Sequence, residues 1–387
     1  MSEARLKLAF FVPATASFAG IEQVTHQLAT ALATDHGDIL DVHVVYGARY
    51  EDDYLVETRY RSHWIGSRKL RDVPFTLGRF LRRTPFDVFV CPQVTASVFA
   101  RIATIGCGIP IFITHLHGNV EKEAVASRMD RLLFALFRHV VSPTVAALLA
   151  VSPTQAAHAA KMGLGPAPVR FTKNPVRVFA DTSPLPRDDD TYRFVNVAGL
   201  VPRKGQIALL DAFAEVLRRR PNARLALVGR GGDEAALKAR ARDLGLDGAV
   251  EFCGYLSDPS DRYRRSDCFV LSSRDEGFGL VLVEALSCGL PIVSTDCLFG
   301  PSDVVTDPRL GTLVPVDDAA AMAAAMIQRM DTPDGEEDRA FRRRVAADYR
   351  PAVAASMFLD VLREITADRE PSPGRARHQA PLQPRGP

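Results

Sequence analysis

The sequence lacks any long uninterrupted apolar segment. No stretch reaches the roughly 18 uncharged apolar residues that a membrane-spanning helix requires, so we expect no transmembrane helix. The first residues, Met1 to Lys7, contain no apolar core of the length found in secretory signal peptides. These absences argue against an integral membrane protein and against a secretory leader.

The cysteines lack the paired spacing that is typical of metal sites. Four of the six lie in or beside strand-like or helical apolar runs. We interpret all six as free thiols of a reducing compartment, and we therefore expect a cytoplasmic protein. The six residues are Cys91, Cys107, Cys253, Cys268, Cys288 and Cys297.

The first strand-turn-helix segment lacks the Gly-x-Gly-x-x-Gly pattern of dinucleotide-binding proteins. Leu8–Val12 reads as a buried strand, Gly20 lies in the turn after it, and Val24 and Leu28 begin the apolar stripe of a helix. This order is typical of the beginning of a doubly wound α/β domain. The missing glycines exclude a dinucleotide fingerprint.

The net charge is small, but it is unevenly distributed. The 387 residues predict two domains of ordinary size, and their 47% hydrophobic and 24% charged content is typical of a soluble globular protein. Residues 1–180 contain 20 Lys and Arg against 14 Asp and Glu, whereas the remainder contains 28 against 32. The first half is therefore basic and the second half is acidic.

Eight basic residues between Arg59 and Arg83 face a single acid, Asp72. Such a cluster can contact anionic lipid headgroups at a membrane surface. It can equally be a solvated basic face, and the sequence leaves both interpretations open. No regular aromatic-interleaved pattern accompanies the charges, so we do not expect nucleic-acid binding.

A loop and helix in the second half carry the strongest signal. A strand-like run, Cys268–Leu271, ends in polar residues, and Gly277 and Gly279 precede a segment that is apolar on all sides except at Glu284. A carboxylate on a buried helix needs hydrogen-bond donors, and the vicinal diol of a ribose offers two. The glycines allow close approach to the backbone, and the helix start favours a phosphate. Glu276, just before the helix, should point into the same cleft.

A second loop has the features of a phosphate clamp. Phe194–Val197 reads as a strand, and Gly199 to Gly205 form a turn before a helix with one apolar face. Lys204 supplies a compact positive charge in this turn and Arg203 supplies a forked guanidinium. Both can neutralise a diphosphate.

The run from Glu276 to Leu280, with Glu284 after seven intervening residues and then Cys288 to Val293, resembles the retaining glycosyltransferases of family 4. The resemblance implies the GT-B fold, an α/β architecture of two doubly wound Rossmann-like domains that face each other across a cleft. It also implies a hexosyltransferase that uses a nucleotide sugar, retains the anomeric configuration and needs neither a cofactor nor a metal ion.

The resemblance assigns roles to individual residues. Glu276 and His117 are the predicted catalytic residues, with His115 as the alternative to His117 because we expect the two side chains to point in opposite directions along a strand. The family carries an arginine where this chain has Gly199, and we expect Arg203 to supply the missing guanidinium. The predicted donor-binding residues are Gly20, Arg203, Lys204, Cys253, Tyr255, Gly277, Phe278, Gly279, Leu280 and Glu284.

The sequence favours a donor but does not select the acceptor. The run from Asp296 to Asp303 resembles family members that transfer from UDP-hexoses or UDP-N-acetylhexosamines to lipid-linked or cell-surface glycans. A GDP-mannose-dependent mannosyltransferase is an alternative. A non-catalytic GT-B-like protein that binds a nucleotide or glycan and regulates a partner is another.

The predicted domain organisation follows the resemblance. Residues 1–180 form the acceptor-side domain, residues 181–193 a linker rich in Pro and Asp, and residues 194–340 the donor domain. A helix over residues 341–366 is expected to return to the first domain, as in other GT-B enzymes. Residues 368–387 have the composition of a disordered tail.

Overall fold

A computed structural model describes residues 5–14, 20–49, 58–67, 69–125, 127–179, 182–185 and 189–367. The chain divides into two compact units, and each is described by itself. The first unit contains Met1–Pro175 and Pro351–Pro387, and the second contains Val176–Arg350.

The first unit contains a seven-stranded parallel sheet with the strand order β3-β2-β1-β4-β5-β6-β7. Side chains of β1 alternate between two apolar cores: Leu8 and Phe10 enter one and Ala9 and Phe11 the other. Both faces of the sheet are therefore covered, which explains the nearly continuous apolar strands. The strands are β1 (Leu6–Val12), β2 (Leu40–Tyr46), β3 (Arg61–Trp64), β4 (Val88–Pro92), β5 (Ile111–Leu116), β6 (Ala147–Ala150) and β7 (Val169–Phe171).

Helices cover both faces of this sheet. α1 packs with one core, and α2, α3 and α5 pack with the other. Ser127 caps α5 by accepting a hydrogen bond from the backbone N–H of Asp130 at 3.1 Å. The helices are α1 (Gly20–Asp35), α2 (Val73–Leu81), α3 (Val94–Ala103), α4 (Val120–Val125), α5 (Arg128–Leu136), which continues as a π-helix (Phe137–Val141), and α6 (Pro153–Met162).

The second unit contains a six-stranded parallel sheet with the order β10-β9-β8-β11-β12-β13. Its strands are β8 (Tyr192–Val197), β9 (Ala223–Val228), β10 (Val250–Gly254), β11 (Cys268–Leu271), β12 (Ile292–Thr295) and β13 (Gly311–Val314). The helices are α7 (Gln206–Arg219), α8 (Glu234–Asp243), α9 (Ser260–Arg264), α10 (Leu280–Ser287), α11 (Pro301–Val304), α12 (Ala319–Asp331) and α13 (Glu336–Ala347). Each unit is a doubly wound α/β domain, as the sequence predicts.

The last helix, α14 (Pro351–Ala367), belongs to the first unit and packs on α1. It begins at Pro351 rather than near residue 341, so the prediction of one helix over 341–366 is wrong. The preceding residues form the separate helix α13, because Pro351 has no backbone N–H to donate and is suited only to a helix start. The predicted tail, 368–387, lies outside the described residues. Within the described ranges, each helix is too short or too polar to cross a lipid bilayer.

Candidate active site

The candidate site of the second unit lies at the carboxyl end of its sheet, between β8 and β11. From β8 the chain continues to β9 on one side, whereas β11 lies on the other side of β8. This is a topological switch point, where open α/β sheets bind their ligands. The loops after β8 and β11 are therefore neighbours, although about 70 residues separate them along the chain.

These two loops are joined through their backbones. Gly205 ends the first loop with a φ of +66°, and a Cβ atom there would lie 2.1 Å from the carbonyl oxygen of Ser272. Arg274 donates its backbone N–H to the carbonyl of Arg203 at 2.8 Å. The Ser272 hydroxyl donates to the carbonyl of Lys204 at 2.9 Å. Only glycine at position 205 permits this close approach.

The contact between the loops places Lys204 against Glu276. Lys204 Nζ lies 2.5 Å from Glu276 Oε1, and the Ser273 hydroxyl donates to the same oxygen at 2.6 Å. The two side chains are only 12% and 7% exposed. Two N–H groups of Lys204 and the second oxygen of Glu276 have no hydrogen-bond partner in the described part of the chain. A buried ion pair costs free energy of desolvation, and this one keeps hydrogen-bonding capacity for a ligand.

The start of α10 lies directly after this pair. Gly279 precedes the helix with a φ of +83°, which other residues rarely adopt. Phe278 is buried, with its ring centroid 5.4 Å from that of Tyr349. Gly277 and Leu280 are half-buried on either side of this anchor. The first-turn N–H groups of α10 therefore have a rigid support, and a helix start with this geometry attracts anions.

Glu284 lies one turn further along α10, on the side where Leu280 and Val281 are half-exposed. Its Oε2 accepts a hydrogen bond from the hydroxyl of the buried Tyr263 at 3.0 Å. Burial raises the pKa of Glu284, and the hydrogen bond from Tyr263, followed by the positive charge of Arg177, partly offsets that effect. Oε1 accepts no hydrogen bond from a described residue. The Oε1 atom of Glu284 is thus available to accept a hydrogen bond from a hydroxyl of a ligand.

Arg203 lies beside this cluster. Its guanidinium is exposed and donates to the carbonyl of Asp275 at 3.3 Å, next to Glu276. At Gly199, a Cβ atom would meet only the carbonyl oxygen of Arg230, at 3.9 Å, and the backbone has an ordinary φ. Position 199 therefore has space for a side chain, and the replacement of the family arginine by Arg203 stays a prediction.

The ends of β9 and β10 lie at the same carboxyl edge of the sheet, on the side of β8 opposite to β11. The guanidinium of Arg230 lies 4.8 Å from the centroid of the Tyr255 ring, which is 42% exposed. Gly229 donates its N–H to the carbonyl of Gly254 at 2.8 Å. Cys253 is half-buried, and burial raises the pKa of its thiol to about 11. Cys253 and Tyr255 thus lie at the carboxyl ends of these strands, and their contact with a nucleotide base stays a prediction.

The first unit carries the two remaining predicted residues. Gly20 is the first residue of α1, and no atom lies within 4 Å of the position of its missing Cβ. His117 directly follows β5, and its ring centroid lies 4.1 Å from that of His115. The expectation that these two side chains point in opposite directions is wrong, because residues two apart on a strand share a face. Burial lowers the pKa of His117 to about 4, so the imidazole is neutral at pH 7.

Some polar residues at the carboxyl ends of the two sheets were not predicted from the sequence. Ser273 and Tyr263 hydrogen-bond the two predicted carboxylates, and Arg230 covers Tyr255. Gln93, after β4, has a φ of +62° and donates its N–H to the carbonyl of His115 at 2.8 Å. A strained residue at the carboxyl end of a sheet is typical of functional sites. Only the position of Ser273, two residues after the end of the buried strand β11, could have indicated its role.

Comparison with known proteins identifies both units. Residues 19–175 match the family model of the glycosyl transferase 4-like domain, and residues 180–347 match that of the group 1 glycosyl transferases. The chain is 24% identical over 338 residues to the lipopolysaccharide 1,6-galactosyltransferase of Escherichia coli K12, spanning 83% of this chain and 88% of that protein. It is 39% identical over 158 residues to the phosphatidyl-myo-inositol mannosyltransferase of Mycolicibacterium smegmatis, spanning 39% and 40%.

A solved structure supports the fold. Anabaena HepE in complex with UDP and glucose superimposes with a TM-score of 0.77 at 19% identity, covering 92% of this chain and 99% of that one. This agreement confirms the predicted GT-B fold class of two Rossmann-like domains. The curated relatives are transferases, which disfavours the non-catalytic alternative. The chain is a glycosyltransferase of the GT-B fold, built from a glycosyl transferase 4-like domain and a group 1 glycosyl transferase domain.

Proposed function

We propose that the enzyme transfers a hexose or N-acetylhexosamine from a UDP-sugar to a hydroxyl of a lipid-linked or cell-surface glycan. We propose that it retains the anomeric configuration and needs no metal ion. The observation that carries this proposal is the pairing of Lys204 with Glu276 beside the start of α10. The E. coli relative transfers galactose to lipopolysaccharide according to its name, and HepE binds UDP and glucose. Both support the proposed donor and acceptor classes.

The positive groups of the site complement the negative charge of a departing nucleoside diphosphate. As the bond between the anomeric carbon and the diphosphate breaks, the diphosphate leaves with the electron pair. The acceptor oxygen forms the new glycosidic bond, and the proton of the acceptor hydroxyl passes to the departing diphosphate. Lys204, Arg203 and the N–H groups at Gly279 and Leu280 would stabilise the negative charge that develops. This is the work that a divalent cation performs in metal-dependent enzymes.

The carboxylates have different roles in this proposal. The free Oε1 of Glu284 would accept a hydrogen bond from the ribose, and Tyr263 holds the other oxygen in place. The free oxygen of Glu276 would accept hydrogen bonds from hydroxyls of the donor sugar. We do not assign Glu276 the role of a covalent nucleophile, because Lys204 and Ser273 already engage one of its oxygens. Neutral His117 would act as a hydrogen-bonding group of the acceptor side.

A panel of nucleotide sugars tests the donor. We expect UDP-sugars to raise the melting temperature of the protein more than GDP-, ADP- or dTDP-sugars, because bound ligand stabilises the folded state. Slow hydrolysis of the same UDP-sugar without acceptor should be lost in Lys204→Ala. A shift with GDP-mannose alone would replace the UDP proposal by the mannosyltransferase alternative, which the mycobacterial relative favours. Absence of hydrolysis with every donor would contradict the catalytic roles assigned here.

Two further measurements test the chemistry. Proton NMR of the product before mutarotation should show the anomeric configuration of the donor; the opposite anomer would exclude retention. Turnover in excess EDTA should equal turnover without it. A loss that Mg²⁺ or Mn²⁺ restores would exclude the metal-independent mechanism.

We also propose that the enzyme acts in the cytoplasm at the inner face of a membrane. Lipid-linked acceptors would be presented there, and the name of the mycobacterial relative includes a phospholipid acceptor.

A further inference from the structure

The outer side of one helical layer of the first unit exposes large apolar side chains. Phe75 on α2 is 81% exposed, Ile105 after α3 is 69% exposed and Leu132 on α5 is 62% exposed. Ile102, Met129 and the π-helix residue Val140 are exposed on the same three helical segments. We call this surface the α2–α5 face. Large apolar side chains that are exposed on neighbouring helices indicate a contact with another phase or molecule when they form one patch.

The packing of the helices places these side chains on one surface. α2 touches α3 at Gly78, where a Cβ atom would lie 3.3 Å from the carbonyl oxygen of Ala103. Phe75 lies one turn before Gly78, and Ile102 directly precedes Ala103. α3 also packs on α5 and on the π-helix. The inner sides of these helices, including Leu77 and Phe134, belong to the buried core, so the opposite sides form a common outer surface.

Basic residues surround the apolar side chains. Arg79, Arg82 and Arg83 are exposed at the end of α2, and Arg128, Arg131 and Arg138 are exposed on α5 and the π-helix. These six arginines form no ion pair with an acid in the described part of the chain. The few acids of these segments have local partners. Asp130 accepts a hydrogen bond from the Ser127 hydroxyl at 2.6 Å, and Asp72 Oδ1 lies 3.9 Å from Arg71 Nε.

The combination of apolar and basic side chains selects the partner. A second copy of the chain would bring like charges together, which disfavours self-association through this face. A solvated basic face needs no exposed Phe, Ile or Leu. An anionic phospholipid membrane satisfies both kinds of side chain, because aromatic and aliphatic groups enter the headgroup boundary while arginines contact phosphates.

We propose that the α2–α5 face docks on an anionic phospholipid membrane, with Phe75, Ile105 and Leu132 entering the headgroup boundary. This docking rests on the proposed location of the enzyme at a membrane, and it does not depend on which nucleotide sugar is the donor. Of the predicted Arg59–Arg83 cluster, the α2–α5 face contains only the arginines at the end of α2. Arg61 lies on the edge strand β3 and pairs with Asp41 at 3.5 Å, and Arg68 lies outside the described residues.

Flotation with vesicles tests the proposal. The full chain should float with vesicles that contain phosphatidylglycerol and remain in solution with vesicles of phosphatidylcholine alone. Phe75→Ser combined with Leu132→Ser should lower the bound fraction at least tenfold, and so should Arg79→Glu combined with Arg131→Glu. These positions are exposed, so the melting temperature should stay within a few degrees of the unaltered protein.

Matched controls lie in the second unit. Ile207→Ser removes an exposed apolar side chain, and Arg242→Glu reverses an exposed charge, so neither should change flotation. Hydrolysis of a UDP-sugar in solution should be the same for all these variants, which separates membrane docking from donor chemistry. Absence of flotation with phosphatidylglycerol would overturn the proposal. Equal binding to both vesicle types would also overturn it. A dimer in solution that dissociates when residues of the α2–α5 face are substituted would overturn it as well.

Discussion

Lys204 and Glu276 neutralise each other in the absence of a ligand, and each keeps part of its hydrogen-bonding capacity unused. An ammonium group donates three hydrogen bonds, and one is given to Glu276, so two can reach the oxygens of a diphosphate. The pair thus allows a lysine and a carboxylate to be buried side by side without a large net charge. Arg203 and Glu284 lie beside this pair and are the other two charged groups proposed to bind the donor.

Arg203 should bind the donor diphosphate almost as strongly as Lys204 does. Arg203→Ala and Lys204→Ala should each weaken the binding of a UDP-sugar roughly tenfold to a hundredfold, because a hydrogen bond to a charged group contributes about 1.5–3 kcal/mol. Gly199→Arg should fold normally, since the position is open, and should restore binding in the Arg203→Ala protein. Isothermal titration calorimetry gives the dissociation constants. Unchanged affinity in Arg203→Ala would show that this guanidinium takes no part.

The affinity for the donor should depend on the ionisation of Glu284. Burial raises the pKa of this carboxyl above its usual value, and a ribose hydroxyl donates best to the ionised form. Affinity should therefore fall as the pH is lowered through the raised pKa. A UDP-sugar is the suitable probe, because its diphosphate has no proton to gain in this range. Titrations of Glu284→Gln should show weaker binding, by about tenfold, and a flat pH profile. A parallel decline in both proteins would assign the pH dependence to another group.

At the scale of elements, the site depends on how closely the loop after β8 approaches the loop after β11. Gly205 and Gly300 both lie where a Cβ atom would overlap a backbone carbonyl, of Ser272 and Phe278 respectively. The two loops and the start of α10 are therefore positioned by backbone contacts rather than by side-chain packing. Substitution of either glycine tests this dependence without removing a charged group.

Gly205→Ala should destabilise the second unit by about 1–3 kcal/mol, because alanine is strained at a φ of +66° and its Cβ would meet Ser272. Donor affinity should fall as well, since Lys204 is the preceding residue. Thermal unfolding and calorimetry measure the two effects. Gly232→Ala is the matched control, because Gly232 has an ordinary φ and no atom within 4 Å of the missing Cβ. Equal melting temperatures for the two variants would contradict the close approach.

At the scale of the whole molecule, the pH dependence of stability should reflect the buried histidines of the first unit. The pKa of His117 is about 4 in the folded protein, and burial also lowers the pKa of His115 well below its usual value. An unfolded histidine has a pKa near 6.5, so the unfolded chain binds protons first as the pH falls. The free energy of unfolding of this unit should therefore decrease as the pH drops from about 6.5 towards 4.

Comparison of two variants isolates this effect. The melting temperature of His117→Asn should fall less between pH 7 and pH 5 than that of the unaltered protein. His139→Asn removes an exposed histidine of the same unit and should keep the full decrease. If His117→Asn retained the whole pH dependence, burial of His117 would not be its source.

Much of the fold could be predicted because it depends on local patterns. The bounds of β11 and the apolar content of α10 follow from runs of Val, Leu and Phe that only a buried element accommodates. β3 was not predicted, because this edge strand is polar and half-exposed, so no apolar run reveals it. The start of α14 was misplaced because charged and apolar residues continue at helical spacing through α13.

The sequence alone determined the class of the protein: alternating strands and helices, two glycines before an apolar helix, and the spacing of Glu276 and Glu284 are properties of consecutive residues. Tertiary structure decided which groups share a site. Lys204 lies 72 residues from Glu276, and Tyr263 lies 21 residues from Glu284. Lys204 meets Glu276 because the strand order brings β8 beside β11, and strand order is set by the packing of the whole sheet. Tyr263 meets Glu284 because α9 and α10, which precede and follow β11, fold back towards each other. The α2–α5 face likewise emerges only when separate helices pack into one layer.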